Sequence, residues 1–170
     1  RKKALDQKAK LIDQEKIITQ NSLKNKESEL IKMSAYIVSK NDLLQSIEKD
    51  LEYHTSLIEN KSDRKIMEPL KKRIKSKIDD SSDWENFQNQ FSVAYPDFVN
   101  HLGANYPKLR SADIKLCCYL KMHMNTKEIA RVTGLSIRAV ENKRYRLRKK
   151  LNLNASESLE SFINSSVSSN

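Results

Sequence analysis

Arg138, Glu141, Asn142, Tyr145 and Lys149 are spaced so that, on a helix, they share one face. That face carries an amide, a carboxylate, a phenol and two cations. An asparagine amide can pair with the N6/N7 edge of adenine, and a carboxylate can accept from cytosine N4. A phenol can meet a thymine methyl group or a phosphate. The surroundings point the same way. Residues 107–151 hold thirteen Lys and Arg against Asp113, Glu128 and Glu141, which accounts for the whole net charge of +10. Elsewhere nineteen cations and nineteen carboxylates cancel. A neutral chain with one concentrated basic module suits a polyanion, and duplex DNA is the densest common one. Glu141, Asn142 and Tyr145 are therefore expected to contact bases. Thr126, Lys127, Arg138, Lys143, Arg146 and Lys149 are expected to contact phosphates, with Lys127 assisted by the N-terminus of its own helix.

Four short helices within residues 109–163 must position these side chains. Ser111 is expected to cap the first, with Ile114, Cys117 or Cys118, and Leu120 facing inward. Thr126 is expected to cap the second, whose inner face is Ile129, Ala130 and Val132. Thr133, Gly134 and Leu135 form a tight turn, and Gly134 takes the positive φ that such a turn demands. Ser136 caps the third helix, which turns Val140, Arg144, Leu147 and Leu151 inward. Leu159, Phe162 and Ile163 give the fourth an apolar closing face, and the Ser-rich residues 166–170 read as a disordered tail.

The composition removes other classes of function. Gly103 and Gly134 are the only glycines, so neither GxxxxGK[ST] nor GxGxxG can be built. Cys117 and Cys118 are adjacent and lack a second cluster, which fits buried apolar thiols rather than a metal site. His101 and His123 lie apart and form no ligand pair. His54, the remaining histidine, is followed by Thr55 and Ser56, with no acidic residue directly after it to act as base. No catalytic residue, metal or cofactor is expected, and the chain reads as a non-enzyme. Reduced thiols suit the cytoplasm. No apolar run is long enough to span a membrane. Arg1, Lys2 and Lys3 make the kind of basic start found on the cytoplasmic side of a membrane helix, so such a helix is expected upstream, although an arbitrary starting point would look the same.

Few turn formers and scarce strand formers make the fold class all-α. Leu23, Leu30, Ile37, Leu44, Leu51 and Ile58 repeat every seven residues. That column predicts a left-handed seam in a rod of roughly 54 Å, too long for a small domain to cover. A second copy is the expected partner; the alternative is one amphipathic helix folded back on a local hairpin. Lys26, Lys40 and His54 interrupt the seam's second column, and the polar stretches 19–22 and 24–29 suggest a stutter or break. Residues 60–63 read as a connection, and Pro69 suits the first turn of the next helix. Residues 79–83 read as a turn ending in an N-cap at Asp83. Trp84, Phe87 and Phe91 then form an aromatic core stripe joining rod to reader, and Gly103 should end the helix begun at Pro96.

The motifs together resemble a known family. Residues 125–130 read Asn-Thr-Lys-Glu-Ile-Ala, followed by Gly134, Leu135 and Ser136, then Val140, then the basic end Leu147, Arg148, Lys149, Lys150 and Leu151. This resembles the LuxR/FixJ-type (GerE-like) helix-turn-helix domain over residues 109–163. With Trp84, Phe87, Tyr106, Pro107 and residues 113–122, the chain resembles the cytoplasmic ends of bacterial membrane regulators. In those, a periplasmic propeller and a triple-tyrosine domain precede a membrane helix, a coiled coil and the reader. The resemblance implies a dimeric, sequence-specific transcriptional regulator on paired half-sites. The family commonly has Lys-x-His after the helix-three valine; here Glu141 and Lys143 stand there, so its base preference does not carry over. The expected organisation is a coiled-coil dimerisation helix at 1–60, linking helices at 61–106, the DNA-binding domain at 107–165 and the tail at 166–170. The rival reading is a coiled-coil scaffold whose basic end binds RNA or acidic protein.

Overall fold

The computed structural model describes residues 2–78 and 81–165, apart from the side chains of Lys2 and Ala4. The described residues form eight helices: α1 (Lys2–Ser56), α2 (Lys61–Ile78), α3 (Ser81–Ala94), α4 (Pro96–Asn105), α5 (Ser111–Lys121), α6 (Thr126–Thr133), α7 (Ile137–Lys150) and α8 (Leu159–Ser165). The fold is all-α, as the composition implies. None of the described helices is long and apolar enough to cross a membrane.

Helix α1 is one unbroken element. The polar stretches at 19–22 and 24–29 do not interrupt it. Gln20, Lys24, Lys26, Glu27 and Glu29 are good helix formers, the Thr19 hydroxyl bonds back to the Glu15 carbonyl at 2.8 Å, and all but Lys26 and Glu27 are exposed, so nothing penalises their polarity. At its far end the chain reverses over residues 57–60. Arg64 clips the hairpin by donating to the Ile58 carbonyl at 2.5 Å, and Asn60 Oδ1 accepts from the Ser62 amide at 2.9 Å. Pro69 lies inside α2 rather than in its first turn, because the helix already begins at Lys61. It is exposed, so water can serve the carbonyl that its missing N–H leaves without a helical donor.

The heptad column is covered by the chain itself. Leu30 and Ile37 are buried, at 0% and 5% exposure, in the same core as Phe87, Phe91, Phe98 and Leu120. Leu44, Leu51 and Ile58 are half-buried, and Leu44 shares an apolar groove with Leu70 and Ile74 of α2. Only Leu23, at 40%, stands largely clear. The part of the expected seam around Leu30 and Ile37 is thus buried within the chain itself, where α1 lies against α2, α3 and α6. The physical reason is length: α1 is long enough for the 61–106 segment to fold back along it and bury the column locally.

The aromatic stripe is core. Trp84 stacks on Phe87, Phe91 meets Phe98 edge-on, and Phe87 and Trp84 both pack on Tyr119 of α5. One apolar core therefore spans rod, linking helices and basic module. Helix α4 runs past Gly103 to Asn105, with Tyr106 closing it through its amide to the Leu102 carbonyl at 2.9 Å, so Gly103 is an interior residue and not a cap. Asp83 sits in the first turn of α3 rather than before it and pairs with Lys40 of α1. The expected turn residues Asp79 and Asp80 and the tail 166–170 lie outside the described residues.

Candidate nucleic-acid interface

The turn between α6 and α7 is set by local chemistry. Asn125, not Thr126, is the N-cap of α6: its Oδ1 accepts from the amides of Lys127 and Glu128 at 2.9 and 3.0 Å. Glu128 returns the bond, accepting from the Asn125 amide at 2.7 Å, which completes a capping box. Thr126 is the first helical residue and half-buried. Helix α6 ends at Gly134 with φ 68° and ψ 13°, and Leu135 closes back on the Ala130 carbonyl at 3.0 Å. Ser136 Oγ then accepts from the Ala139 amide at 3.2 Å and starts α7. Helix α5 shows the same one-residue offset as α6. Its Arg110 amide donates to Asp113 Oδ2 at 2.8 Å, and Ser111 is the first helical residue.

Packing fixes which face of α7 turns outward. Val140, Leu147 and Leu151 are buried against Ile129, Val132, Leu159 and Ile163. Both cysteines are buried as well, and burial raises their pKa, that of Cys117 to about 12 with Asp113 adding to the effect, so the thiols stay neutral.

The thirteen cations of the module divide by role. Arg144 is held inward by an ion pair to Glu160. Burial opposes ionisation of Glu160, but the hydrogen bonds from Arg144 and the backbone prevail and hold its pKa below the usual value. Arg148 donates to the carbonyls of Glu157 and Asn154 at 2.7 and 2.6 Å. Lys150 bonds Asp113 at 2.5 Å, and Lys115 lies 5.1 Å from the centre of the Trp84 ring. Lys121 lies over Tyr95 and Phe98 and donates to the Asn164 carbonyl at 3.1 Å; desolvation lowers its pKa against the opposing pull of Glu27. Arg131 pairs with Asp42 of α1 at 2.5 Å, which raises its pKa. These six cations serve the fold.

The residues expected at the interface are distributed differently. Glu141, Asn142 and Tyr145 are exposed, as are Lys127, Arg138, Lys143, Arg146 and Lys149. Lys149 lies 4.7 Å from the centre of the Tyr145 ring, an attraction that orients both side chains on the outer face of α7. The outcome is a solvent-facing helix surface that mixes cations with an amide, a carboxylate and a phenol. Leu135 and Ile137, 37% and 46% exposed at the turn, add an apolar edge that the spacing of polar residues did not reveal.

Sequence reasoning also missed the junction that seats this surface on the rod. Asn41 is fully buried and donates its amide to the carbonyls of Arg131 and Val132 at 3.2 and 3.0 Å, satisfying the last turn of α6. Asp42 holds Arg131, while Lys40 pairs with Asp83 and donates to the Lys77 carbonyl at 2.7 Å. A methyl group added at Gly134 would lie 2.3 Å from Ile78 Cγ2, so α2 also presses on the turn. The signal was available as a run of polar residues, 39–42, interrupting an apolar stripe. Their partners lie too far along the chain to be read from it.

Beside the junction a crevice of about 520 Å³ opens between α1 and the α5–α6 turn, with Val38, Met122 and Met124 on its walls. Among the described residues no cluster of His, Cys, Asp or Glu could hold a metal ion. No protein-family model, curated protein or solved structure matches this chain.

Proposed function

We propose that the chain is a sequence-specific DNA-binding regulator that reads duplex through α7 and works in pairs. The observation that supports this most is the division of the module's cations. Six are spent on internal partners, while Lys127, Arg138, Lys143, Arg146 and Lys149 are exposed beside Glu141, Asn142 and Tyr145. A scaffold that needed only positive charge would have no use for a capped two-helix turn. The proposed unit is a LuxR-type helix-turn-helix over residues 107–165, acting in the cytoplasm as the output end of a longer sensor.

In this reading Asn142 and Tyr145 choose bases. Asn142→Ala or Tyr145→Ala is expected to cost about 1–3 kcal/mol on the preferred site and to alter preference at one or two base pairs. Selection from random duplex, followed by titration of the enriched site, measures both. Wild-type preference in both variants would overturn the assignment, and stronger binding to single-stranded RNA than to duplex would overturn the function.

Lys127 has a different task. Its side chain is exposed in the first turn of α6, where the helix dipole favours an anion. Lys127→Ala should weaken specific and random duplex alike and flatten the salt dependence by about 0.9 logarithmic unit per tenfold salt. Titrations at several salt concentrations decide it. A changed base preference with an unchanged slope would refute the phosphate role.

A further inference from the structure

Outside the reader, cations and carboxylates cancel in number, but the fold separates them in space. Helix α2 carries eight Lys and Arg against Asp63 and Glu68. Residues 48–59, where α1 runs beside α2 and the chain reverses, carry Glu48, Asp50, Glu52 and Glu59 against Lys49. The hairpin is thus basic on one limb and acidic on the other. Lys61, Lys65, Lys72 and Lys75 of the basic limb are all exposed. Their spacings of four, seven and three residues return, at 3.6 residues per turn, to an arc of about 80°. They form a stripe of roughly 21 Å, on average about 125° round α2 from the buried Ile74 and Ile78. Among the described residues none of the four pairs with a carboxylate, and Glu68, the one acid in the arc, pairs with Lys71 at 3.8 Å. Like charges three and four residues apart on one face repel, and a cation at the first residue of a helix opposes its dipole. The stripe therefore costs the free chain stability, and a polyanion laid along it would remove that cost.

The stripe ends beside the reader. Ile78, three residues or about 4.5 Å of helix beyond Lys75, is the side chain that presses on the Gly134 turn. Ile78 and Lys115 of α5 wall one small crevice, and Lys115 and Lys143 of α7 wall another. Positive charge thus continues from α7 through Lys115 to the end of α2. We infer that α2 is a second DNA-contacting element, whose lysine stripe lies along the phosphates flanking the bases that α7 reads. The inference rests on the proposed reading of duplex by α7 and lengthens its footprint. A stripe of roughly 21 Å matches about six phosphates of one strand, spaced about 3.4 Å along the duplex axis. Ammonium groups without amides or guanidinium forks between them suit phosphates held as point charges, not base edges. An acidic lipid surface would call for apolar side chains among the lysines, and the arc has none. The carboxylates of the α1 limb decide which side of the hairpin can meet the duplex.

The test uses the whole chain and the duplex enriched by selection. Replacing Lys61, Lys65, Lys72 and Lys75 by glutamine keeps good helix formers in α2, so circular dichroism and melting temperature should not fall. Affinity for the duplex with long flanks should drop about tenfold or more near 0.15 M salt, and the salt slope should flatten by about 1.8, the effect of two phosphate contacts. Trimming the flanks should cost the wild type the same affinity over about six base pairs and cost the variant little. On the trimmed duplex both proteins should bind alike, which shows that the variant's reader is intact. A smaller loss with long flanks, or an equal loss on the trimmed duplex, would overturn the inference. Position is checked directly. A photo-activated cross-linker on Lys72→Cys should attach to flanking DNA. One on Tyr53→Cys, exposed on the acidic limb about 160° round α1 from the buried Thr55, should not. The native Cys117 and Cys118 are buried and do not compete. Cross-linking from 53, or none from 72, would overturn the placement. Binding to phosphatidylserine vesicles that the four substitutions abolish, with duplex binding unchanged, would assign the stripe to a membrane instead. A wild type that binds no duplex would overturn the DNA-reading proposal and this inference together. A wild type that selects its site, matched by the variant with and without flanks, would overturn this inference alone.

Discussion

Gly134→Ala is expected to destabilise the chain by about 2–5 kcal/mol. Two independent costs combine. A β-carbon at φ 68° pays roughly 1–2 kcal/mol for the left-handed conformation. The same carbon would sit 2.3 Å from Ile78 Cγ2, and forcing a side chain into a filled space typically adds about 1–3 kcal/mol. Chemical denaturation measures the sum. The division is tested in an Ile78→Ala background, where the second cost should vanish and the substitution should cost only about 1–2 kcal/mol. A Gly134→Ala protein within about 0.5 kcal/mol of wild type would show that neither the turn nor the α2 contact is as described.

The second large effect belongs to the outer face of α7. Replacing Arg138, Lys143, Arg146 and Lys149 together by alanine should reduce duplex affinity by on the order of 10³-fold near 0.15 M salt. The estimate follows from counterion release, at about 0.9 logarithmic unit per phosphate contact per tenfold salt, so the salt slope should also fall by about 3.6 per protomer. These side chains are exposed, and none of the four takes part in the ion pairs with Asp113, Glu160 or Asp42 that hold the module. The melting temperature should therefore stay close to wild type. A matched variant at Arg144 and Arg148 should behave in the opposite way, losing stability through Glu160 and the 154–157 loop. Equal losses of affinity without loss of stability in both variants would mean that the division of cations is wrong.

Local signals were legible where the interaction itself is local. The Gly134 turn, the Ser136 cap and the aromatic core stripe follow from residues within one or two turns of each other. The cap of α6 illustrates the limit. Asn125 and Thr126 are both capping types, and only the partner three residues on separates them: Glu128 follows Asn125 at the box spacing, whereas Ile129 follows Thr126. Heptad spacing placed Leu30 and Ile37 in a seam between two copies, and the structure buries both in the chain's own core. Periodicity reports that a face is covered and is silent on what covers it, so a second chain and the returning helices α2 and α3 leave the same trace. Asn41 marks a deeper limit, because its bonds to the end of α6 close over some ninety residues of chain.

The unbroken run of α1 from Lys2 to Ser56 has a mechanical consequence. From Leu5 to Asn25 every residue is exposed, whereas from Glu27 onward the helix is held by Tyr95, by the core around Leu30 and Ile37, and by the bonds of Lys40, Asn41 and Asp42 to α2, α3 and α6. The free part is therefore an arm of roughly 30 Å with no joint in it, and a tilt of about 5° at its root corresponds to about 3 Å of travel at the tip. Run in reverse, a sideways force at the tip acts on the root with that whole length as its lever arm. The seated part also contains an amide oxygen, Asn41 Oδ1, that is buried without a partner, a defect worth about 1–3 kcal/mol. Leverage from the far end thus bears on a part of the molecule that holds an unsatisfied polar group.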